Sequence, residues 1–158
     1  MRKAILLLCL FLAMTIPAVC QEVMPTDYVA AGLSWNQYAA PQINGNLLYA
    51  HKITDANTYS FSFVDVISKC RRPFTVTTAV STGLAQHIRT IGPARVFLVT
   101  TVGVAAGGDN VGYIWTGGGA VAFPIGKSFT ILPNVRVLKS SLSDVQYIGG
   151  IMIGFGSK

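Results

Sequence analysis

Charge is scarce in this chain, at 11% of 158 residues, where a soluble domain usually carries about 25%. Such a composition excludes an ordinary salt-bridged surface. Acids are the scarcer sign, six against twelve Lys and Arg, giving a formal charge of +6. Cysteine is nearly missing. Cys9 and Cys20 lie in the first twenty residues and Cys70 stands alone beyond them, so no internal disulfide framework is expected. The two histidines, His51 and His87, are far apart in sequence and, with one cysteine, make no metal-ligand cluster. Long apolar runs are missing too. Ala4–Ile16 is shorter than the ~20 residues a membrane helix needs. Gly117-Gly118-Gly119 lacks the following Lys-Ser/Thr and the helix of a phosphate-binding loop, and no cofactor is expected.

What the N-terminus does contain is an export signal. Met1-Arg2-Lys3 is a basic start, Ala4–Ile16 an apolar core, and Pro17-Ala18-Val19-Cys20 a small-residue cleavage site before Gln21. Residues 1–20 are therefore read as a signal peptide and 21–158 as one domain. Lipidation at Cys20 is the alternative, although Pro17-Ala18-Val19 is a poor version of the run that precedes a lipoprotein cysteine. Losing Arg2 and Lys3 lowers the charge from +6 to +4, a mild excess.

Beyond the signal, bulky apolar residues alternate with small or hydroxyl ones. Phe74, Val76, Thr78 and Val80 fall on one face and Thr75, Thr77, Ala79 and Ser81 on the other, the period of two that marks a strand. Tyr59-Ser60-Phe61-Ser62-Phe63 repeats it, and Phe129, Ile131, Val135 and Val137 oppose Ser128, Thr130, Asn134 and Arg136. Strands are placed at 28–36, 46–54, 58–67, 73–83, 94–106, 112–123, 127–139 and 146–156. Each can cross a membrane when tilted, which takes about 9–11 residues. Asp55-Ala56-Asn57 and Pro124-Ile125-Gly126 read as tight turns, and Leu84 to Pro93 as a longer connection at the same end. The opposite connections are Gln37–Gly45, Ser68–Arg72, Gly107–Val111 and Ser140–Val145.

A soluble barrel shows the same alternation with its apolar face turned inward. Three features favour the membrane. Charges avoid the strand centres, where a soluble sheet uses Lys and Glu. Aromatics gather toward segment ends, among them Tyr28, Trp35, Tyr59, Phe74, Tyr113, Trp115, Phe123, Phe129, Tyr147 and Phe155, as interfacial girdles require. Gly118, Ala120, Ala122, Gly150 and Gly154 share the face assigned to the lumen, small enough for a narrow eight-stranded interior. The fold expected is all-β, an antiparallel up-and-down transmembrane barrel of about eight strands.

Gly117-Gly118-Gly119-Ala120-Val121-Ala122-Phe123-Pro124-Ile125-Gly126-Lys127-Ser128-Phe129-Thr130-Ile131, followed by Gly149-Gly150-Ile151-Met152-Ile153-Gly154-Phe155-Gly156, carries a resemblance. It resembles the small bacterial outer-membrane β-barrel proteins of the OmpA-transmembrane and OmpX-like kind. The resemblance implies a barrel in the outer membrane of a Gram-negative-type bacterium, among lipid and lipopolysaccharide, with a role in envelope integrity, adhesion or slow solute leakage. It also implies insertion by the barrel-assembly machinery, which reads an aromatic near the last strand's end. Phe155 is the nearest match, with Gly156-Ser157-Lys158 following it.

The residues offer little chemistry. Ser60, Ser62, Thr75, Thr77, Asn134 and Arg136 are assigned to a polar lumen, with Asp65 the one acid well inside a strand that could face Arg136. Lys69, Arg71 and Arg72 form a basic loop cluster too short for a nucleic-acid tract, and nucleic acid is not an expected partner. Pairing about the 55–57 turn sets His51 opposite about Phe61, some four residues from Asp65, so these two make no acyl-transfer site. The reading is a non-catalytic barrel with a structural or surface-interaction role. A small passive pore and a soluble secreted barrel holding an apolar ligand are the alternatives.

Overall fold

The computed structural model describes residues 26–36, 43–54, 58–69, 75–126, 128–141 and 145–157. The signal segment, Cys20, Cys70, Arg71, Arg72 and Phe74 lie outside the described residues. Eight strands follow one another: β1 (Asp27–Asn36), β2 (Ile43–Thr54), β3 (Thr58–Lys69), β4 (Thr75–Ile91), β5 (Ala94–Gly107), β6 (Asn110–Ile125), β7 (Phe129–Ser140) and β8 (Gln146–Ser157). Each pairs antiparallel with its neighbours in sequence, and β1 also pairs with β8 from Asp27↔Ser157 to Asn36↔Ile148. Closure leaves no strand edge unpaired, the condition for a sheet in hydrocarbon, where no water can satisfy a bare N–H or C=O. The chain is a closed, eight-stranded, up-and-down antiparallel β-barrel.

The connections sort to two ends. The start of β1, the end of β8 and the connections β2–β3, β4–β5 and β6–β7 share one, here the turn end. The other four connections share the loop end. The expected long connection over Leu84–Pro93 is not there. β4 runs on to Ile91, paired with β5 down to Ile91↔Ala94, and the chain reverses through Gly92 and Pro93. Gly92 makes so short a reversal possible, because its φ of 57° is costly for a residue with a Cβ. The extra pairs include Gln86, His87, Arg89 and Thr90, polar residues whose strand character comes from the β5 ladder and not from their own alternation.

Alternation sends one set of side chains outward and the other into the lumen. Val135, Leu33, Val102, Leu98 and Ile153 are more than half exposed on the outside. The core is the lumen itself, centred on Tyr28, Tyr59, Phe61, Phe63, Phe97 and Met152. Burying each large side chain contributes about 1.5–3 kcal/mol, so the interior stabilises the barrel as the core of a soluble protein does. Glycine lets rings cross the sheet closely. A Cβ built on Gly154 would collide with the Tyr28 hydroxyl, and one on Gly149 would lie 2.8 Å from the Trp35 ring.

Candidate functional site

The lumen is built in layers. Toward the turn end it is apolar, with Tyr28 from β1, Leu48 and Ala50 from β2, Tyr59 and Phe61 from β3, and Phe97 from β5 enclosing a cavity of about 70 Å³. Tyr59 meets Phe97 edge to face, centroids 6.1 Å apart. A second void of about 40 Å³ shares Leu48, Phe61, Val99, Ala120 and Leu132 with the first and reaches up to Asn134 and Arg136.

Above it sits a charged crossbar. Arg136 Nη1 donates to Asp65 Oδ2 at 3.3 Å and Nη2 to Oδ1 at 3.2 Å, a two-pronged contact between side chains 5% and 2% exposed. β3 and β7 stand four strands apart in a ring of eight, so the pair spans the lumen. Asn46 Nδ2 donates to the same carboxylate from β2. The Arg136 guanidinium also lies 4.2 Å from the centre of the Phe63 ring, a cation–π contact on its apolar side. A charge in so narrow an interior is held only when paired and hydrogen-bonded, and here Asp65 is met by Arg136 and Asn46, and Arg136 by Asp65 and the Phe63 ring.

Toward the loop end the lining mixes polar side chains with the buried Ile114, Leu138 and Ile148. Thr101 and Thr116 share a 2.6 Å hydroxyl hydrogen bond across β5 and β6, and Asn36 Nδ2 donates to Gln146 Oε1 at 2.6 Å. Ser34 and Asn44 are buried with side-chain atoms that no protein group partners, as are Asn46 Oδ1, Asn134 Oδ1 and Arg136 Nε. Buried groups of this kind are ordinarily met by internal water.

Of the residues assigned to the lumen, Thr77, Asn134 and Arg136 face it. Thr77 shares the inward parity of buried Ala79 and Ser81, and its side chain covers Gly107. Thr75 opens β4 and pairs with Lys69 at the end of β3, which puts that member of the basic cluster at the loop end. Ser60 and Ser62 do not line the lumen. They point outward, and Tyr59, Phe61 and Phe63 of the same strand are buried inside. The reason is the apolar turn-end chamber, which takes aromatics in β3 where the neighbouring strands supply alanine and leucine. Phe155 faces out near the end of β8, its ring 4.5 Å from that of Phe129.

Two girdle assignments change for the same reason, since Tyr28 and Tyr59 are inside. Trp35, Tyr113, Trp115 and Tyr147 ring the loop end, and Phe129 and Phe155 the turn end, all about half exposed or more. His51 pairs with Ser60, not Phe61, and faces outward, on the opposite side of the sheet from Asp65. Its Nδ1 lies 2.9 Å from Asp27 Oδ1, and the Tyr49 hydroxyl donates to the same oxygen at 2.8 Å, an exposed cluster at the turn-end rim. Among the described residues no three His, Cys, Asp or Glu side chains gather as metal ligands would. Sequence reasoning misses Asn44 and Asn46, for which parity with Leu48 and Ala50 is the available signal.

No protein-family profile and no curated protein matches the sequence. Solved structures do match in shape. Neisserial surface protein A (NspA) superposes with a TM-score of 0.66 at 9% identity, over 83% of this chain and 96% of that one. Ail, the attachment invasion locus protein of Yersinia pestis, gives 0.57 at 12%, over 84% and 99%. The N-terminal β-barrel domain of Pseudomonas aeruginosa OprF gives 0.56 at 12%, over 84% and 98%. At such identities the likeness is one of fold: this chain has the architecture of small outer-membrane barrels.

Proposed function

We propose that this protein is an exported, non-catalytic barrel of a bacterial outer membrane that contributes to the envelope as a structural or surface-contacting element. The observation that carries the reading is the combination of an apolar outer wall with a lumen crossed by the Arg136–Asp65 pair. The wall suits lipid, and the crossbar argues against an open conduit. In this reading the turn end faces the periplasm, the loop end the outside, and lipopolysaccharide and phospholipid cover the wall. The assembly machinery is the proposed partner for insertion, with the outward Phe155 on β8 as the recognised aromatic.

Two proteins of the same fold carry the words surface and attachment in their names. That supports a surface role here, although the loop-end connections, such as 37–42 and 70–74, are short and favour a small contact over a large receptor face. The test is fractionation of expressing cells with gel mobility before and after boiling, then planar-bilayer recording. A heat-modifiable outer-membrane band with silent bilayers is the expected result. Soluble periplasmic protein would overturn the location, and steady single-channel steps would replace the structural role with a pore.

A further inference from the structure

At the turn end the outer wall carries the exposed side chains of Ile53, Ile125, Phe129 and Phe155, as a lipid-facing surface should. One corner breaks this pattern. Where β1 and β2 pair at Asp27↔His51, a carboxylate, an imidazole and the phenol of Tyr49 meet on the outside of the sheet. All three side chains are close to half exposed, so solvent reaches them.

Asp27 Oδ1 is the centre of the group, accepting from the Tyr49 hydroxyl at 2.8 Å and lying 2.9 Å from His51 Nδ1. Strand register brings the three together. His51 is the direct cross-strand partner of Asp27, and Tyr49, opposite Val29, is its diagonal neighbour, both within side-chain reach. The backbone beneath is held on either side, since Asp27 also pairs with Ser157 of β8 and the Lys52 N–H donates to the Thr26 carbonyl at 2.8 Å. The spacings are those of adjacent ligands on one metal ion. Two donors bonded at ~2.0–2.1 Å and at right angles stand about 2.8–3.0 Å apart, whereas tetrahedral ligands would stand about 3.3–3.4 Å apart. An imidazole nitrogen with oxygen donors in a right-angled, tetragonal set is the arrangement that suits Cu(II).

We infer that Asp27, Tyr49 and His51 form a Cu(II) site on the outer rim of the turn end, bound through Asp27 Oδ1, the Tyr49 phenolate and His51 Nδ1, with water completing the tetragonal set. On binding, the Tyr49 hydroxyl gives its proton to solvent, and His51 stays neutral with its single ring proton on Nε2. Carboxylate and phenolate together match the ion's two charges, and the copper changes no oxidation state. His, Cys, Asp and Glu alone do not make this site, because its third donor is a phenol. The ligands come from β1 and β2, so the ion ties the first strand to the second beside the β1–β8 seam. The site stands independently of the envelope role proposed above.

The probe is Cu(II) chloride, titrated into the purified, untagged barrel in dodecyl maltoside micelles, in a Cys70→Ser background so that no thiol competes. One equivalent per barrel is expected, with a visible phenolate-to-copper charge-transfer band and an electron paramagnetic resonance spectrum of tetragonal copper split by one nitrogen. Tyr49→Phe should remove the band and His51→Gln the nitrogen splitting. Each of these, and Asp27→Asn, should weaken binding about tenfold or more while the barrel keeps its heat-modifiable mobility. His87→Gln, whose imidazole in the parent packs against Phe97 at 5.5 Å between centroids, should bind copper as the parent does. Copper should also raise the unfolding temperature of the parent and not that of Tyr49→Phe. Absence of saturable binding, a copper signal without the charge-transfer band, or undiminished affinity in Asp27→Asn and Tyr49→Phe would reduce the group to a hydrogen-bonded cluster and overturn the site. Loss of binding in His87→Gln would overturn it equally, by moving the copper to the other histidine. None of these readouts depends on where the barrel resides in the cell.

Discussion

The ring of Tyr28 lies across Gly154, locking β1 to β8 from inside the barrel at the seam where the two ends of the chain meet. Any side chain at position 154 would occupy the place of the tyrosine hydroxyl, and Tyr28 is only 3% exposed, with little freedom to retreat.

Gly154→Ala should therefore destabilise the barrel by about 1–3 kcal/mol, the usual range for overpacking. Urea unfolding in lipid vesicles measures it. In a Tyr28→Ala background the same change should cost much less, and a double-mutant cycle showing no coupling would refute the contact.

The buried ion pair makes a prediction with opposite arms. Arg136→Met leaves Asp65 buried without its main partner and should cost about 3–5 kcal/mol. Replacing both residues together, Arg136→Met with Asp65→Leu, should restore most of that stability, because an apolar pair of similar volume needs no desolvation. Equilibrium unfolding of the three variants decides it.

The outer face is tested by polarity. Val135 is 64% exposed near the middle of β7, so Val135→Lys should cost about 2–4 kcal/mol if it faces the hydrocarbon. Ser62→Leu, on the same outer wall, should be neutral or stabilising. Phe63→Ser, one residue away and facing in, should be strongly destabilising, by about 3–5 kcal/mol as for other buried phenylalanine truncations. A reversed order for positions 62 and 63 would place β3 the other way round.

The β4–β5 reversal gives a smaller effect. Gly92→Ala should cost about 1–2 kcal/mol through its positive φ alone, since nothing lies near a Cβ built there. Gly92→Asn should recover part of it, because asparagine tolerates the left-handed region. Melting of the two variants beside the parent distinguishes strain from packing.

Much of this architecture can be read without coordinates, because a strand that faces lipid on one side and a small-residue lumen on the other must alternate. The spans expected for β5 and β8, 94–106 and 146–156, differ from the observed ones by a residue. Alternation does not say which face is out. In β3 the pattern suggests an aromatic face toward lipid and a serine face toward the lumen, and the structure reverses them. Asp65 holds the answer: it shares parity with Tyr59, Phe61 and Phe63, and a carboxylate in a membrane barrel belongs inside. The end of β4 is hidden for another reason. Gln86, His87, Arg89 and Thr90 look like a loop because polarity there reflects the rim, while hydrogen bonding to β5 continues. The crossbar is half legible, since Arg136 needs an acid and Asp65 is available, but Asn46 and the Phe63 ring join it only through register.

Closure of β1 on β8 also fixes how this protein can come into being. The first strand made has one of its two ladders supplied by the last, so a nascent barrel holds an open seam until residues 148–157 arrive. No stable half exists in hydrocarbon, because every partial sheet has two raw edges. Insertion and folding are thus one cooperative event, and a chain shortened by its final strand loses not one strand but the whole molecule.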